Sequence, residues 1–262
     1  MTKVVFVMMD GLRPDAIAAA PMPNVLSLCE RGACTLTASS IMPSITLPCH
    51  MSIFHSVPPT RHGVTTNIWT PMARPLPGLI DYANGHGRRC ASIYSWEPLR
   101  NVSQPESLVF SSYRKHDGPE VSSDERVIQA AMGFISADHP DFVFVYFDGP
   151  DLAGHRFGWM SEGYLEELRH SDQLFGQFLE TLSHDAYLLL QADHGGHDRT
   201  HGTDLPEDMT IPWVIAGPNI RQGVVIQQAV SLLDTAPTLT RLLQLEPYRE
   251  WEGHVVEEIF VS

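Results

Sequence analysis

The segment LLLQADHGGHDRTHGTD (residues 188–204) gathers three histidines and three aspartates at the exit from an apolar run. Imidazole and carboxylate ligands together suit zinc, with manganese or iron as substitutes. Two other apolar runs also end in acid. VVFVMM (4–9) leads into Asp10-Gly11, and FVFVYF (142–147) leads into Asp148-Gly149-Pro150-Asp151. An Asp-Gly pair after a strand is also an ordinary turn signal, so Asp10 and Asp148 each admit that simpler role. Asp151 and His155 in DLAGHRFG stand four apart, so one helical turn sets both on the same side. Carboxylates brought together without a basic partner repel one another unless cations lie between them.

A nucleophile is the next requirement. IMPSITLPCHMSIFHS (41–56) places Thr46 before Pro48, a residue suited to a first helical turn. A hydroxyl there meets unpaired N–H groups and the positive end of the helix dipole, which favour an alkoxide and an anionic substrate. Thr46 as a plain N-cap fits the same pattern, and Ser44 is a rival hydroxyl.

These residues need a scaffold, and the pattern supplies one. VVFVMM, CASIYS (90–95), FVFVYF, AYLLLQ (186–191) and IPWVIAG (211–217) are near-continuously apolar, as expected of strands buried on both faces. Helical periodicity separates them. SSDERVIQAAMGFIS has Ser122 and Glu125 in capping-box spacing, SEGYLEELRHSDQLFGQFLETL starts at Ser161, and SLLDTAPTLTRLLQL lies near the C-terminus. The alternation predicts an α/β fold: one domain over residues 1–262, with a mainly parallel central sheet and helices on both faces. Residues 56–90, rich in Pro, Gly and Thr, form an excursion. In such sheets ligands bind beyond the carboxyl ends of the strands, where the acids above would converge.

Composition narrows the function. The net charge of −14 repels phosphate backbones, so no nucleic-acid polymer is expected as a partner. No apolar run is long enough to span a membrane, and MTKVVFVMMDG begins as a strand rather than a leader, which predicts a cytoplasmic protein. Cys29, Cys34, Cys49 and Cys90 lack C-x-x-C spacing and are read as reduced thiols. Arg13, Arg61 and Arg156 lie near the motifs and are read as solvated surface residues. Nothing in the sequence sets the oligomeric state.

The order of motifs resembles a known family. Asp10 after the first strand, PSITLPCH, HGVTTN, PDLAGH, ADHGGH and HGTDLPEDMTIPWVIAGP are together similar to the alkaline phosphatase superfamily. More narrowly, they resemble its type I phosphodiesterase/nucleotide pyrophosphatase branch, with an alkaline phosphatase-like three-layer sandwich. The resemblance implies two divalent metal ions, zinc first. Asp10, Thr46, Asp193 and His194 would hold one, and Asp151, His155 and His201 the other. It makes Thr46 the nucleophile over Ser44, prefers Asp151 to Asp148, and makes Asn67 the amide donor to a phosphoryl oxygen. It gives His197 no ligand role, leaving it to orient a ligand or face solvent.

The implied activity is hydrolysis of a small phosphorylated substrate through a phospho-threonine, with phosphodiesters ahead of monoesters. A phosphate-shifting mutase and a metal-binding protein without turnover are the alternatives. Leu47 stands where nucleotide-cleaving members tend to carry an aromatic residue, so Trp69, Tyr94, Trp96 or Trp159 would have to stack instead. Thr46-Leu47-Pro48-Cys49-His50 departs from the sulfatase pattern. With only two lysines, Lys3 and Lys115, cleavage of phosphonoacetate ranks low.

Overall fold

The computed structural model describes residues 3–115 and 123–261. Its strands are β1 (Val4–Met9), β2 (Ala33–Ser39), β3 (Cys90–Tyr94), β4 (Leu108–Tyr113), β5 (Phe142–Phe147), β6 (Tyr187–Gln191), β7 (Thr210–Ala216) and β8 (Val224–Val225). They form one sheet in the order β4-β3-β5-β1-β6-β7-β2-β8. Only β7 runs against its neighbours; the other pairs are parallel. The expected mainly parallel α/β architecture is what forms.

The helices are α1 (Pro14–Ala19), α2 (Pro23–Glu30), α3 (Thr46–His55), α4 (Pro59–His62) and α5 (Leu79–Gly85). They continue with α6 (Asp124–Asp138), α7 (Gly149–Phe157), α8 (Glu162–Leu179), α9 (Pro206–Met209) and α10 (Thr235–Leu242). One layer groups α1, α2 and α6 around α8, and the other packs α3, α5 and α10 together. Every residue of β1, β3 and β5 is buried, which is why those runs lack polar alternation.

Three strands escaped the sequence pattern, among them β8, whose two residues are too few to show a period. β2 (ACTLTAS) mixes threonine and serine with partial burial, and β4 (LVFSSY) is an edge strand with alternating exposure. The proposed Ser122 cap falls outside the described residues, and α6 begins at Asp124 after Ser123. Ser161 does cap α8, accepting from Tyr164 N–H at 3.3 Å. The 56–90 excursion holds the short helices α4 and α5.

Register carries function here. Met9 of β1 is level with Phe147 of β5, and Met8 is level with Gln191 of β6. The three central strands therefore end together, and the residues that follow emerge side by side. Phe144 anchors this middle, wholly buried with ring centroids 5.3 Å from Phe6 and 5.0 Å from Phe54. Phe144→Ala is expected to lower unfolding free energy by about 3–5 kcal/mol in a urea titration. A loss below ~1 kcal/mol would mean that the sheet centre does not anchor the fold.

Candidate active site and metal centre

Asp10 follows β1, and its N–H donates to the Phe147 carbonyl at 3.0 Å, locking the strand ends in step. Gly11 comes next at φ +70°, where a Cβ would also lie 3.1 Å from the Cα of Asp151. Glycine thus lets β1 pass directly under α7. The Gly11 carbonyl accepts from Trp159 Nε1 and Tyr164 O–H, both at 2.9 Å.

The helix α7 delivers Asp151 and His155 from one turn, as their spacing predicts. Its N-terminus is capped from a distance. Asp124 at the start of α6 accepts from Asp148 N–H at 2.9 Å and Gly149 N–H at 3.1 Å. Asp148 does not cap its own helix. Its carboxylate accepts instead from Ser95 Oγ at 2.6 Å and from Ser123 N–H at 3.4 Å.

Thr46 is the first residue of α3 rather than its cap; Ile45 holds that position without a side-chain bond. Thr46 Oγ1 lies 3.3 Å from His194 Nε2. Leu47 N–H donates to Asn67 Oδ1 at 3.0 Å, which orients the carboxamide and leaves its NH2 group as a donor. Ser44 points elsewhere, donating to the Thr203 carbonyl at 2.8 Å.

Three histidines share one arrangement. Nδ1 of His155 lies 3.0 Å from the Arg199 carbonyl, that of His194 lies 2.9 Å from Gly195 O, and that of His201 lies 2.8 Å from Ser44 O. Each carbonyl accepts a hydrogen bond from Nδ1–H, so in the neutral ring Nε2 is the lone-pair nitrogen. The Nε2 atoms of His155 and His201 lie 3.5 and 3.6 Å from Asp151 Oδ1, and that of His194 lies 3.3 Å from Asp10 Oδ1.

The acids leave matching vacant acceptors. Asp10 Oδ1, Asp151 Oδ1 and Asp193 Oδ2 are buried without hydrogen-bond partners. Asp193 Oδ1 meanwhile accepts from His194 N–H at 3.0 Å and Gly11 N–H at 3.4 Å. Burial and then the nearby Asp10 hold the carboxyls of Asp151 and Asp193 well above the usual carboxylate range. Burial likewise lowers His194, and takes His201 down to about 3. Orphaned carboxylate oxygens facing neutral imidazole nitrogens suit divalent cations, the donor set expected of zinc or manganese.

Two groups of ligand atoms lie within 4.8 Å: Asp151, His155 and His201, and Asp10, Asp151 and His194. Asp151 belongs to both. Asp193 Oδ2 joins at 3.5 Å from His194 Nε2. Every residue the resemblance proposed is thus brought to one place. A cavity of about 280 Å³ opens on it, lined by Asp10, Thr46, Asn67, Trp96, Tyr146 and Asp148, among others.

His197 stands apart. Its Nδ1 donates to Asp208 Oδ1 at 2.7 Å, and Asp208 Oδ2 accepts from Thr203 N–H and Oγ1, which closes the loop on itself. Arg13 is not a solvated residue. It donates to Gly196 O at 2.9 Å and braces the same loop. Of the aromatic candidates, Trp159 and Tyr94 are buried, Trp69 is half-exposed, and Trp96 lines the cavity. Sequence reasoning missed Tyr146, His50 and Asp124, because nothing in their runs separates them from core or helix-start residues.

With that geometry in hand, similarity to known proteins is informative. The profile of the type I phosphodiesterase / nucleotide pyrophosphatase family matches residues 4–207. The chain belongs to this family, and through it to the alkaline phosphatase superfamily. Venom phosphodiesterase from Macrovipera lebetinus is 27% identical over 216 residues, covering 71% of this chain and 25% of the venom protein. A 2,3-bisphosphoglycerate-independent phosphoglycerate mutase from Staphylococcus aureus is 30% identical over 138 residues, 52% of this chain and 26% of the mutase. The chain therefore spans about a quarter of the length of these relatives. An inactive variant of murine ectonucleotide pyrophosphatase / phosphodiesterase 5, solved with AMP, superposes with a TM-score of 0.80 at 16% identity, covering 100% of both chains. The last likeness concerns the fold.

A further acid, Glu167, sits beside Asp148 and Gly149 at the start of α7. Glu167 of α8 has a buried Oε1 without a partner, and burial, then Asp148, pushes its carboxyl up to about 7. Folding therefore retains a proton that the unfolded chain releases near pH 4.5. The stability linked to that proton is full below pH ~4.5 and is lost as pH rises through ~7. Glu167→Gln should raise the melting temperature relative to wild type more at pH 8 than at pH 5. A difference that does not change with pH would refute the shift.

Proposed function

We propose that this protein is a metal-dependent hydrolase of phosphoric esters, cleaving phosphodiesters ahead of monoesters, with Thr46 as nucleophile. The observation that carries the proposal is the position of Thr46 Oγ1, at the head of α3 and 3.3 Å from a ligand-type imidazole nitrogen. Asp10, Thr46, Asp193 and His194 would hold one divalent ion, and Asp151, His155 and His201 a second, with zinc the first candidate and manganese or iron as substitutes. Such ions activate a hydroxyl and offset phosphoryl charge when bound.

The chain's own residues account for the rest. Thr46 gives up its hydroxyl proton and Oγ1 forms the bond to phosphorus while the bond to the leaving oxygen breaks, the proton ending on the released alcohol; water then cleaves phospho-Thr46, restoring the hydroxyl and releasing the remaining phosphate ester. The Asn67 NH2 group donates to a phosphoryl oxygen, held in place by the Leu47 N–H bond to its carbonyl. Trp96 lines the cavity and would flank the ester group there.

The preference for diesters rests on charge. Neither lysine nor arginine is among the residues lining the cavity, so the second charge of a monoester finds no extra cation. The mutase reading draws on the similarity to the phosphoglycerate mutase and would keep the same phospho-Thr46. Bis-p-nitrophenyl phosphate should be cleaved faster than p-nitrophenyl phosphate. The reverse order would favour the monoesterase, and no cleavage of either would favour a mutase or a binding protein.

Thr46→Ala should retain its fold and most of its metal while losing nearly all turnover, and Thr46→Ser should keep a measurable part. Full activity in metal-loaded Thr46→Ala would end the assignment.

Metal analysis separates the three loop histidines. His194→Ala and His201→Ala should lose most of one ion each, while His197→Ala should stay near wild type. Chelation should abolish activity, and zinc or manganese should restore it. Metal loss at position 197 without loss at position 201 would reverse the ligand assignment.

A further inference from the structure

Tyr146 is a wholly buried aromatic on β5, and its hydroxyl donates a hydrogen bond to Asp10 Oδ2. Its ring packs edge-on against His50, with centroids 5.5 Å apart and planes at 69°. His50 is itself buried on α3, with Nδ1 at 2.8 Å from the Thr46 carbonyl and 3.5 Å from Asp193 Oδ2. Tyr146 thus reaches one carboxylate directly and touches the imidazole that faces the second.

A carboxylate with two free oxygens can bind a cation through either or both, and can swing between them. Asp10 has lost that freedom. Its Oδ2 is occupied by the phenol, and only Oδ1 is left without a partner, 3.3 Å from His194 Nε2. Asp193 shows the same division, with Oδ1 held by backbone N–H groups and Oδ2 free. For Asp193 the backbone supplies the pin. For Asp10 a side chain from the neighbouring strand does so, because the N–H of the next residue, Gly11, is given to Asp193 Oδ1.

We propose that Tyr146 is a positioning residue: its hydroxyl pins Asp10 so that Oδ1 alone is presented to the ion beside Thr46. This rests on the two-ion reading above. Groups that orient a metal ligand typically change metal affinity by about 10–100-fold when removed. A phenylalanine at this position keeps the ring against His50 and removes only the donor.

The test is competition of the purified metal-free protein with a chromogenic chelator for Zn²⁺, paired with the visible absorption spectrum of the Co²⁺-loaded form. Tyr146→Phe should weaken one of two binding steps by about 10–100-fold and alter the Co²⁺ spectrum. Phe142→Leu serves as the control for a general loosening of β5. It should lower stability while leaving both affinities within about twofold of wild type, since Phe142 is buried at the start of β5, level with Val4 and far along the strand from Asp10. Wild-type affinities and spectrum in Tyr146→Phe would overturn the proposal, as would equal affinity losses in both variants. If the wild-type protein binds neither Zn²⁺ nor Co²⁺, the two-ion reading itself falls and this proposal falls with it.

Discussion

Three carboxylates at one point, Asp10 and Asp193 buried and Asp151 partly so, are the constraint on which the rest depends. Asp10, Asp151 and Asp193 converge beyond the ends of β1, β5 and β6, and each keeps one buried oxygen without a partner. Burying an unpaired carboxylate costs several kcal/mol unless it is protonated or a cation offsets it. The raised carboxyls of Asp151 and Asp193 express that cost in the cation-free chain. Among the described residues no lysine or arginine lines the cavity to offset it.

Holding such a cluster together demands rigid supports, and these come from the polar framework around it. Parallel register sets the strand ends level, and Asp124 holds α7 by its first N–H groups. Trp159 and Tyr164 converge on the Gly11 carbonyl from the far side. Each ligand-type histidine is turned by a backbone carbonyl, so ring orientation is set by chain path rather than by the ion. A site built this way is preorganised, and little conformational freedom remains for binding to remove.

Much of this was legible in the sequence, and the parts that were not share a cause. Strands β1, β5 and β6 announce themselves because burial on both faces removes polar residues, and acids directly after such runs stand out. Asp151 and His155 were legible through helical spacing. Asn67 and the choice of Thr46 over Ser44 came from family resemblance, because a hydroxyl or amide in a polar loop carries no local mark of its direction. The edge strand β4 and the mixed strand β2 hid because partial exposure dilutes the apolar pattern. Tyr146 hid for the opposite reason: in FVFVYF one hydroxyl among five apolar side chains reads as core. Its role depends on what β1 carries next to it, which is tertiary information. Arg13 was misread in the same way, since its partner Gly196 lies far along the chain.

The charge balance also imposes an order on events at the proposed site. The chain carries a net charge of −14, and the cavity is lined by Asp10, Asp148 and Asp151 with no lysine or arginine among the described residues. A phosphate ester approaching the cation-free cavity therefore meets like charge in a confined, poorly screened space. On the proposed two-ion reading, cations would reverse the sign of that field, and their binding would precede that of substrate. That binding would also displace protons, because carboxyls held above their usual range would have to ionise to act as ligands. Ion affinity would then be coupled to pH through the very burial that makes the site dry, and the acids that burden the fold would become the donors that stabilise it.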